Sequence, residues 1–413
     1  MTREPMASEQ PKGDFAMARL GCLAQKSLWF VTLLLCVSVS NAAGQTPGVS
    51  EREIKIGSCS ALDGPARQLG LQTVLGATAY FSYVNDHGGV NGRKLSLVSF
   101  DDGYDPEKTA ACFASLKKEN VFAGGFFVGT PTAARYLPMA EADHMPVAGL
   151  FTGAQFLYEP LKHYVVNLRA SYNDETREQV DNLLESGLKK IGVIYQDDGF
   201  GKAVLEGVKL ALSKHGGSPA ALGSFARNTL DVKQGIASVR AAKPDAVVIA
   251  GPYAPAAEIV KEAHAQGWRP LFLAVSFVGT EAFINAAGKE SEGTVITQVV
   301  PTYDQTDLPT VKLYRECLSK YMSATQPSFV SLEAFVNAMI IAEGLKRAGQ
   351  NPTREKFIAA IESLNGFDAG LGSAAHLEFS SHHHKGLGHV YPTVVRGGKP
   401  EVFSDWGRVL ARK

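Results

Sequence analysis

Residues Val121 to Gln155, VFAGGFFVGTPTAARYLPMAEADHMPVAGLFTGAQ, decide the fold. Two short apolar runs flank a helical segment, and each run passes straight into small hydroxyl-bearing residues: Gly129-Thr130-Pro131-Thr132 after the first, Thr152-Gly153 after the second. This pattern predicts two buried parallel strands separated by one helix. In an open parallel sheet, ligands settle outside the carboxyl ends of the strands, so both loops are expected to open on one crevice. Pro131 suits the first turn of the helix, whose unpaired N–H groups and dipole favour an anion. A carboxylate cradle fits these loops. Ordinary strand-to-helix turns fit them too, and the residues alone leave both open.

Outward from this stretch the same alternation continues. Upstream, a strand is expected over Ile54 to Cys59, a helix from about Arg67 to Asn85 closed by His87-Gly88-Gly89, and a strand over Leu95 to Phe100. Asp105 can cap the helix begun by Pro106. Downstream come an apolar run from Tyr164 to Leu168 and the run Arg169 to Glu175, after which the alternation starts afresh. A helix over 175 to 186 is followed by strands at Lys190 to Tyr195, Ala220 to Phe225, Ala246 to Ala250 and Leu271 to Val275, with helices between them. Helices near 308 to 322, 330 to 347 and 354 to 362 and two final strand-like runs, Val390 to Val395 and Glu401 to Phe403, complete the chain. The pattern implies an α/β protein of two sheet domains, each wound with helices, with a cleft between them.

With 413 residues, 45% of them hydrophobic, the chain can bury a large core in two or three domains. Its 41 basic and 41 acidic residues balance, which argues against nucleic acid or an anionic membrane as the main partner. Arg19 and Lys26 precede an apolar run from Leu28 to Val39 and then Ser40-Asn41-Ala42-Ala43, the outline of a cleavable signal peptide ending near Ala42. A start at Met17 gives this signal ordinary proportions. Cys36 follows Leu34-Leu35 rather than the small residues of a lipoprotein signal, so a soluble exported protein is expected. Of the cysteines beyond the signal, Cys59, Cys112 and Cys317, one disulfide at most can form, and all three read as packing residues.

The motifs IKIG…DGP at 54 to 65, NDHGGVNGRKLSLVSFDDGYDPEK at 85 to 108, GTPT at 129 to 132, RASYNDE at 169 to 175, YQDDGFG at 195 to 201 and ESEG at 290 to 293 carry a family resemblance. From Glu53 to about Trp406 the chain resembles the type I periplasmic substrate-binding proteins of ABC transporters, in the Leu/Ile/Val receptor group. The resemblance implies two Rossmann-like lobes joined by a three-segment hinge. Carried over, lobe 1 takes 50–170 and 302–376, lobe 2 takes 173–299 and 380–408, and the crossings fall near Arg169 to Asp174, Val299 to Tyr303 and His376 to Ser380. It also implies a monomer that binds a small carboxylate or amino acid, without cofactor, and delivers it to permease subunits at the inner membrane.

Ligand positions transfer residue by residue. Gly129, Thr130 and Thr152 match the carboxylate-binding loops, although relatives usually carry Ser where this chain has Gly129. Tyr253 matches an aromatic that closes over the ligand from the second lobe, and Phe329 a side-chain contact from a later helix. Leu69 stands where these receptors place an aromatic. The acid that holds the ligand ammonium maps to about Ser276, which carries no charge. Asp174 can replace it; alternatively Asp174-Glu175 simply begin a helix. With Tyr172, Phe151 and Tyr253, the pocket suits an amino acid or, equally, an aromatic or aliphatic carboxylate without an amine. A sensor feeding a signalling partner uses the same two-lobed architecture.

Other motifs point elsewhere less well. Adjacent His382, His383 and His384 face different directions in any regular structure, and a solvated turn rather than a metal site is expected. Asp101-Asp102 and Asp197-Asp198 lie at strand ends, where general acid/base work needs carboxylates, but each precedes Gly and a helix start and reads as a turn and cap. No nucleophile elbow or phosphate loop is present, so no enzyme is expected.

Overall fold

In the computed structural model, which describes residues 46–410, the alternation read from the sequence becomes two separate sheets. The first is built from β1 (Glu53–Ser60), α1 (Arg67–Asp86), β2 (Lys94–Asp101), α2 (Pro106–Lys118), β3 (Ala123–Gly125), α3 (Thr130–Ala142), β4 (Val147–Ala148) and β5 (Val165–Val166). Its five strands run parallel in the order β2-β1-β3-β4-β5. Asp105 caps α2 through the N–H groups of Glu107 and Lys108, with Pro106 opening the helix, as its sequence suggests. The strands of the deciding stretch are shorter than expected. Phe126 takes a left-handed φ of 63°, which ends β3, and parallel pairing resumes only as the single bridge between Val128 and Phe151.

The second sheet follows from α4 (Tyr172–Glu185), β6 (Ile191–Gln196), α5 (Gly199–Lys214), β7 (Ala221–Phe225), α6 (Lys233–Arg240), β8 (Ala246–Ala250), α7 (Tyr253–Ala265), β9 (Leu271–Ala274), α8 (Thr280–Ala287) and β10 (Val295–Gln298). Every residue of β8, AVVIA, is buried, as a central parallel strand covered on both faces requires. Helices α9 (Pro309–Tyr321), α10 (Phe329–Arg347) and α11 (Arg354–Glu362) then return to the first sheet. Phe81 of α1, Tyr314 of α9, Phe335 of α10 and Phe357 of α11 share one apolar cluster. Helix α10 comes so close to α1 that a Cβ on Gly76 would lie 2.0 Å from the Ser331 carbonyl oxygen. Finally β11 (Tyr391–Arg396) and β12 (Lys399–Val402) rejoin the second sheet antiparallel, giving the order β12-β11-β10-β9-β8-β6-β7 before α12 (Trp406–Leu410).

The chain thus passes between the two lobes three times, after β5, after β10 and after α11. Ala170, Val299 and Val390, one from each passage, form a small apolar cluster of their own. Asn167 and Leu168 also hydrogen-bond to the backbone of His384, Gly386 and Leu387, so the first and third passages run side by side. A three-stranded hinge of this kind bends without separating the lobes.

Two expectations are corrected here. Cys59, at the end of β1, and Cys112, on α2, are not merely packing residues: they form a disulfide, with Cα atoms 6.0 Å apart, while Cys317 is free and buried. His384 is not part of a solvated turn. It is buried, with Nδ1 against the Lys162 and Val165 carbonyl oxygens and Nε2 3.1 Å from Glu362. The expected targeting segment at 1–42 lies outside the described residues. Among the described residues no helix is long and apolar enough to cross a membrane.

Candidate functional site

The two loops of the deciding stretch do meet. Thr130, at the start of α3, and Thr152, beyond β4, place their hydroxyls 2.7 Å apart, and the Tyr172 hydroxyl donates to Thr152 Oγ1 at 3.3 Å. All three side chains are buried. Taken in the direction Tyr172 to Thr152 to Thr130, the relay leaves the Thr130 hydrogen free for an anionic acceptor. Gly129, just before the helix, has φ 106°, and a Cβ there would lie 2.3 Å from the Tyr104 ring. A side chain as small as Ser therefore has no room at this position. The opposite wall is aromatic and comes from the second lobe. Phe277, in the turn after β9, has its ring centroid 5.3 Å from Phe151, 4.4 Å from Phe200 and 6.0 Å from Tyr104. Tyr172 packs edge-on to Phe200 at 5.4 Å.

Beneath this aromatic wall lies a buried charge network that sequence reasoning missed. The Arg169 guanidinium, in the first passage between lobes, donates to Glu175 Oε1 at 3.2 Å, to Glu333 Oε1 at 3.3 Å, and to Ser276 Oγ. It also lies over the rings of Phe151 and Tyr172, 5.2 and 5.7 Å from their centroids. Glu175 is held further by the Ser276 N–H at 2.7 Å, the Ser276 hydroxyl at 2.9 Å and the Thr297 hydroxyl at 2.7 Å. One cation thus faces two carboxylates away from water. Burial pushes Glu333 up to about 7 despite the pull of Arg169, with Glu175 adding to the rise. Burial likewise raises Glu175. On Arg169 burial acts downward, but Glu333 and Glu175 outweigh it and the guanidinium is raised. The available signal was an Arg closing an apolar run and a lone Glu inside the apolar helix segment FVSLEAFV; buried charges need partners.

This network explains the uncharged Ser276, which is engaged in holding Glu175. Asp174 is engaged too. It completes a capping box with Ser171 at the start of α4, accepts from Lys385 Nζ at 2.8 Å and pairs with Arg177 at 3.3 Å. Burial acts to raise its carboxyl, yet Lys385 and Ser171 bring it below the usual carboxylate range. Of the two readings of Asp174-Glu175, the geometry therefore supports a helix start for Asp174.

The remaining candidates lie around a second space. A cavity of about 850 Å³ between the lobes is lined by Leu69 on α1, Tyr253 on α7, Glu281 on α8 and Tyr303. Leu69 also belongs to the apolar cluster of Phe151, Tyr172 and Phe277, so it stands between the hydroxyl cradle and the cavity. Phe329 is buried behind the cavity, edge-on to Tyr303 at 5.0 Å. The structure thus brings Gly129, Thr130, Phe151, Thr152, Tyr172 and Ser276 to one side and Leu69, Tyr253 and Phe329 to the other.

Comparison with known proteins gives a consistent answer. Residues 53–399 match the family described as periplasmic binding protein. A relative from Brucella melitensis, named Leu/Ile/Val-binding protein homolog 3, is 22% identical over 331 residues, covering 79% of this chain and 88% of its own. Among solved structures, a possible leucine/isoleucine/valine-binding protein from Rhodopirellula baltica superposes with a TM-score of 0.83 at 33% identity, over 89% of this chain and all of its own. A fatty acid ABC transporter substrate-binding protein from Thermomonospora curvata gives a TM-score of 0.78 at 25% identity, over 88% and 96%.

Proposed function

The chain belongs to the periplasmic binding protein family, whose members are receptors and not enzymes, and from that premise we propose that it is the periplasmic solute receptor of an ABC importer. Its ligand is a small carboxylate, in the first place an amino acid, captured by closure of the lobes. The observation that carries this is the hydroxyl cluster of Thr130 and Thr152, at strand ends of one lobe, with Tyr172 from the first passage, faced by Phe200 and Phe277 of the other lobe. A carboxylate there accepts from the hydroxyls while its apolar remainder meets the rings. Contacts to both walls exist only in the closed state, so binding shifts the hinge toward closure. In this proposal lobe 1 comprises 50–170 with 302–376 and lobe 2 comprises 173–299 with 380–408, and the permease recognises the closed form. The Cys59–Cys112 disulfide supports an oxidising compartment such as the periplasm.

A second reading, a receptor for an amine-free aliphatic or aromatic carboxylate, is favoured by Leu69 in the wall and by the likeness to the fatty acid binding protein. Thermal-shift screening of refolded protein against amino acids and amine-free acids separates the two, because a ligand at a hundred times its Kd adds about 2.7 kcal/mol. In either case Thr152→Val removes a charge-assisted hydrogen bond worth about 1.5 to 3 kcal/mol, so affinity for the hit should fall about tenfold or more by calorimetry. Unchanged affinity would place the carboxylate elsewhere.

A further inference from the structure

His384, in the third passage between the lobes, is buried, and every partner of its ring is an acceptor. Nδ1 lies 2.9 Å from the Val165 carbonyl oxygen and 3.1 Å from that of Lys162, and Nε2 lies 3.1 Å from Oε1 of Glu362, the last residue of α11. Only the imidazolium donates from both nitrogens. A neutral ring that keeps its hydrogen on Nδ1 turns the Nε2 lone pair against a carboxylate, with little water to separate them.

The same residue is two steps from the hydroxyl cradle. The His384 carbonyl oxygen accepts the Asn167 N–H at 3.0 Å, and the Gly386 N–H donates to the Asn167 carbonyl oxygen at 2.9 Å, so the third passage clips Asn167 from both sides. The buried Asn167 side chain in turn spans the loop after β4. Its Oδ1 accepts the Leu150 N–H at 2.8 Å, and its Nδ2 donates to the Thr152 carbonyl oxygen at 2.8 Å. Glu362, His384, Asn167 and Thr152 thus form one hydrogen-bonded chain from α11 to the cradle.

We propose that His384 is a positioning residue for ligand capture: its imidazolium, held by Glu362, fixes the Thr152 loop through Asn167, and loss of its proton loosens the loop and weakens binding. This rests on the receptor reading above, which makes Thr152 a ligand contact. The other charged groups around the ring are engaged elsewhere. Lys162 Nζ donates to the Phe156 and Pro160 carbonyl oxygens at 2.7 and 3.3 Å, His163 faces Glu355 at 2.7 Å, and Lys385 holds Asp174 at 2.8 Å. His383 lies 4.0 Å from Glu378. Glu362 is therefore the acid that answers the charge of the His384 ring.

The test compares wild type with Glu362→Gln, whose amide can accept from the imidazolium or donate to the neutral ring, so that the contact survives in either state. Hydrogen exchange of the full chain, corrected for the intrinsic rate, is read over 147–152 and 165–169. It is read at about pH 5 and about pH 9, beyond both ends of the range in which histidine changes charge. Wild type should lose protection of these segments about tenfold at the higher pH, and Glu362→Gln should not. Glu281 and Glu333, both raised to about 7, titrate in the same window but are common to the two proteins. Calorimetric titration with L-leucine and with 4-methylpentanoate should show the matching change, wild-type affinity falling about tenfold relative to Glu362→Gln between the two pH values. Protection that ignores pH in wild type, or is lost equally in both proteins, overturns the assignment. Protection that follows pH while affinity for a bound probe does not overturns the part of His384 in capture. Failure of both probes to bind counts against the receptor reading alone, because exchange decides the coupling of ring to loop without a ligand.

Discussion

Glu333 shows how much a single side chain can hold at this hinge. It sits on α10 among buried apolar residues and reaches Arg169 across the passage between the lobes. With its carboxyl raised to about 7 from an ordinary 4.5, the folded chain keeps a proton that the unfolded chain has released. The folded state therefore binds more protons between pH 4.5 and 7, and Glu333 makes stability fall as pH rises through that window. Glu333→Gln cannot lose a proton, so denaturation at a series of pH values should show the variant gaining on the wild type from pH 4.5 to 7 and holding level above. A constant difference would mean that Glu333 titrates normally. Legibility at this scale was uneven. Thr130 and Thr152 could be read because strand ends fix where their loops open. The partners of Arg169 could not: Glu175 is 6 residues away but Glu333 is 164, and only the packed hinge brings them together.

Elements were the most legible scale. The extents of β8 and α11 follow directly from their apolar patterns, and α2, α4 and α5 begin at Asp105, Ser171 and Asp198, side chains able to cap free N–H groups. Strands β3 and β4 were overextended because nothing local announces the left-handed Phe126. The disulfide was missed for a related reason: spacing along the chain does not reveal that α2 lies against the end of β1. That bridge closes a separation of 53 residues and ties the first strand–helix unit of lobe 1. Replacing both Cys59 and Cys112 with Ala should cost about 2 to 4 kcal/mol, seen as a lower thermal midpoint in oxidising buffer. An unchanged midpoint would show that packing alone holds α2 to the sheet.

At the scale of the whole molecule, two lobes on three adjacent passages make a hinge whose ends cannot drift apart, and the proposed ligand cleft is the space such a hinge would open and shut. The aromatic wall of Phe200 and Phe277 belongs to one lobe and Thr130 and Thr152 to the other, so the proposed capture site needs both. Arg169 ties the hinge to both lobes through Glu175 and Glu333. The overall architecture was legible because every crossing changes the local pattern of strands and helices; the cavity beside α8 was not, because it is bounded by residues from seven separated segments of sequence. The most direct measurement is a crystal structure of the protein bound to its best ligand from the thermal-shift screen. The ligand carboxylate should lie within hydrogen-bonding distance of Thr130 and Thr152, with Phe277 against its apolar part. A ligand seated elsewhere, with the Thr130–Thr152 hydrogen bond intact, would contradict the proposed capture site.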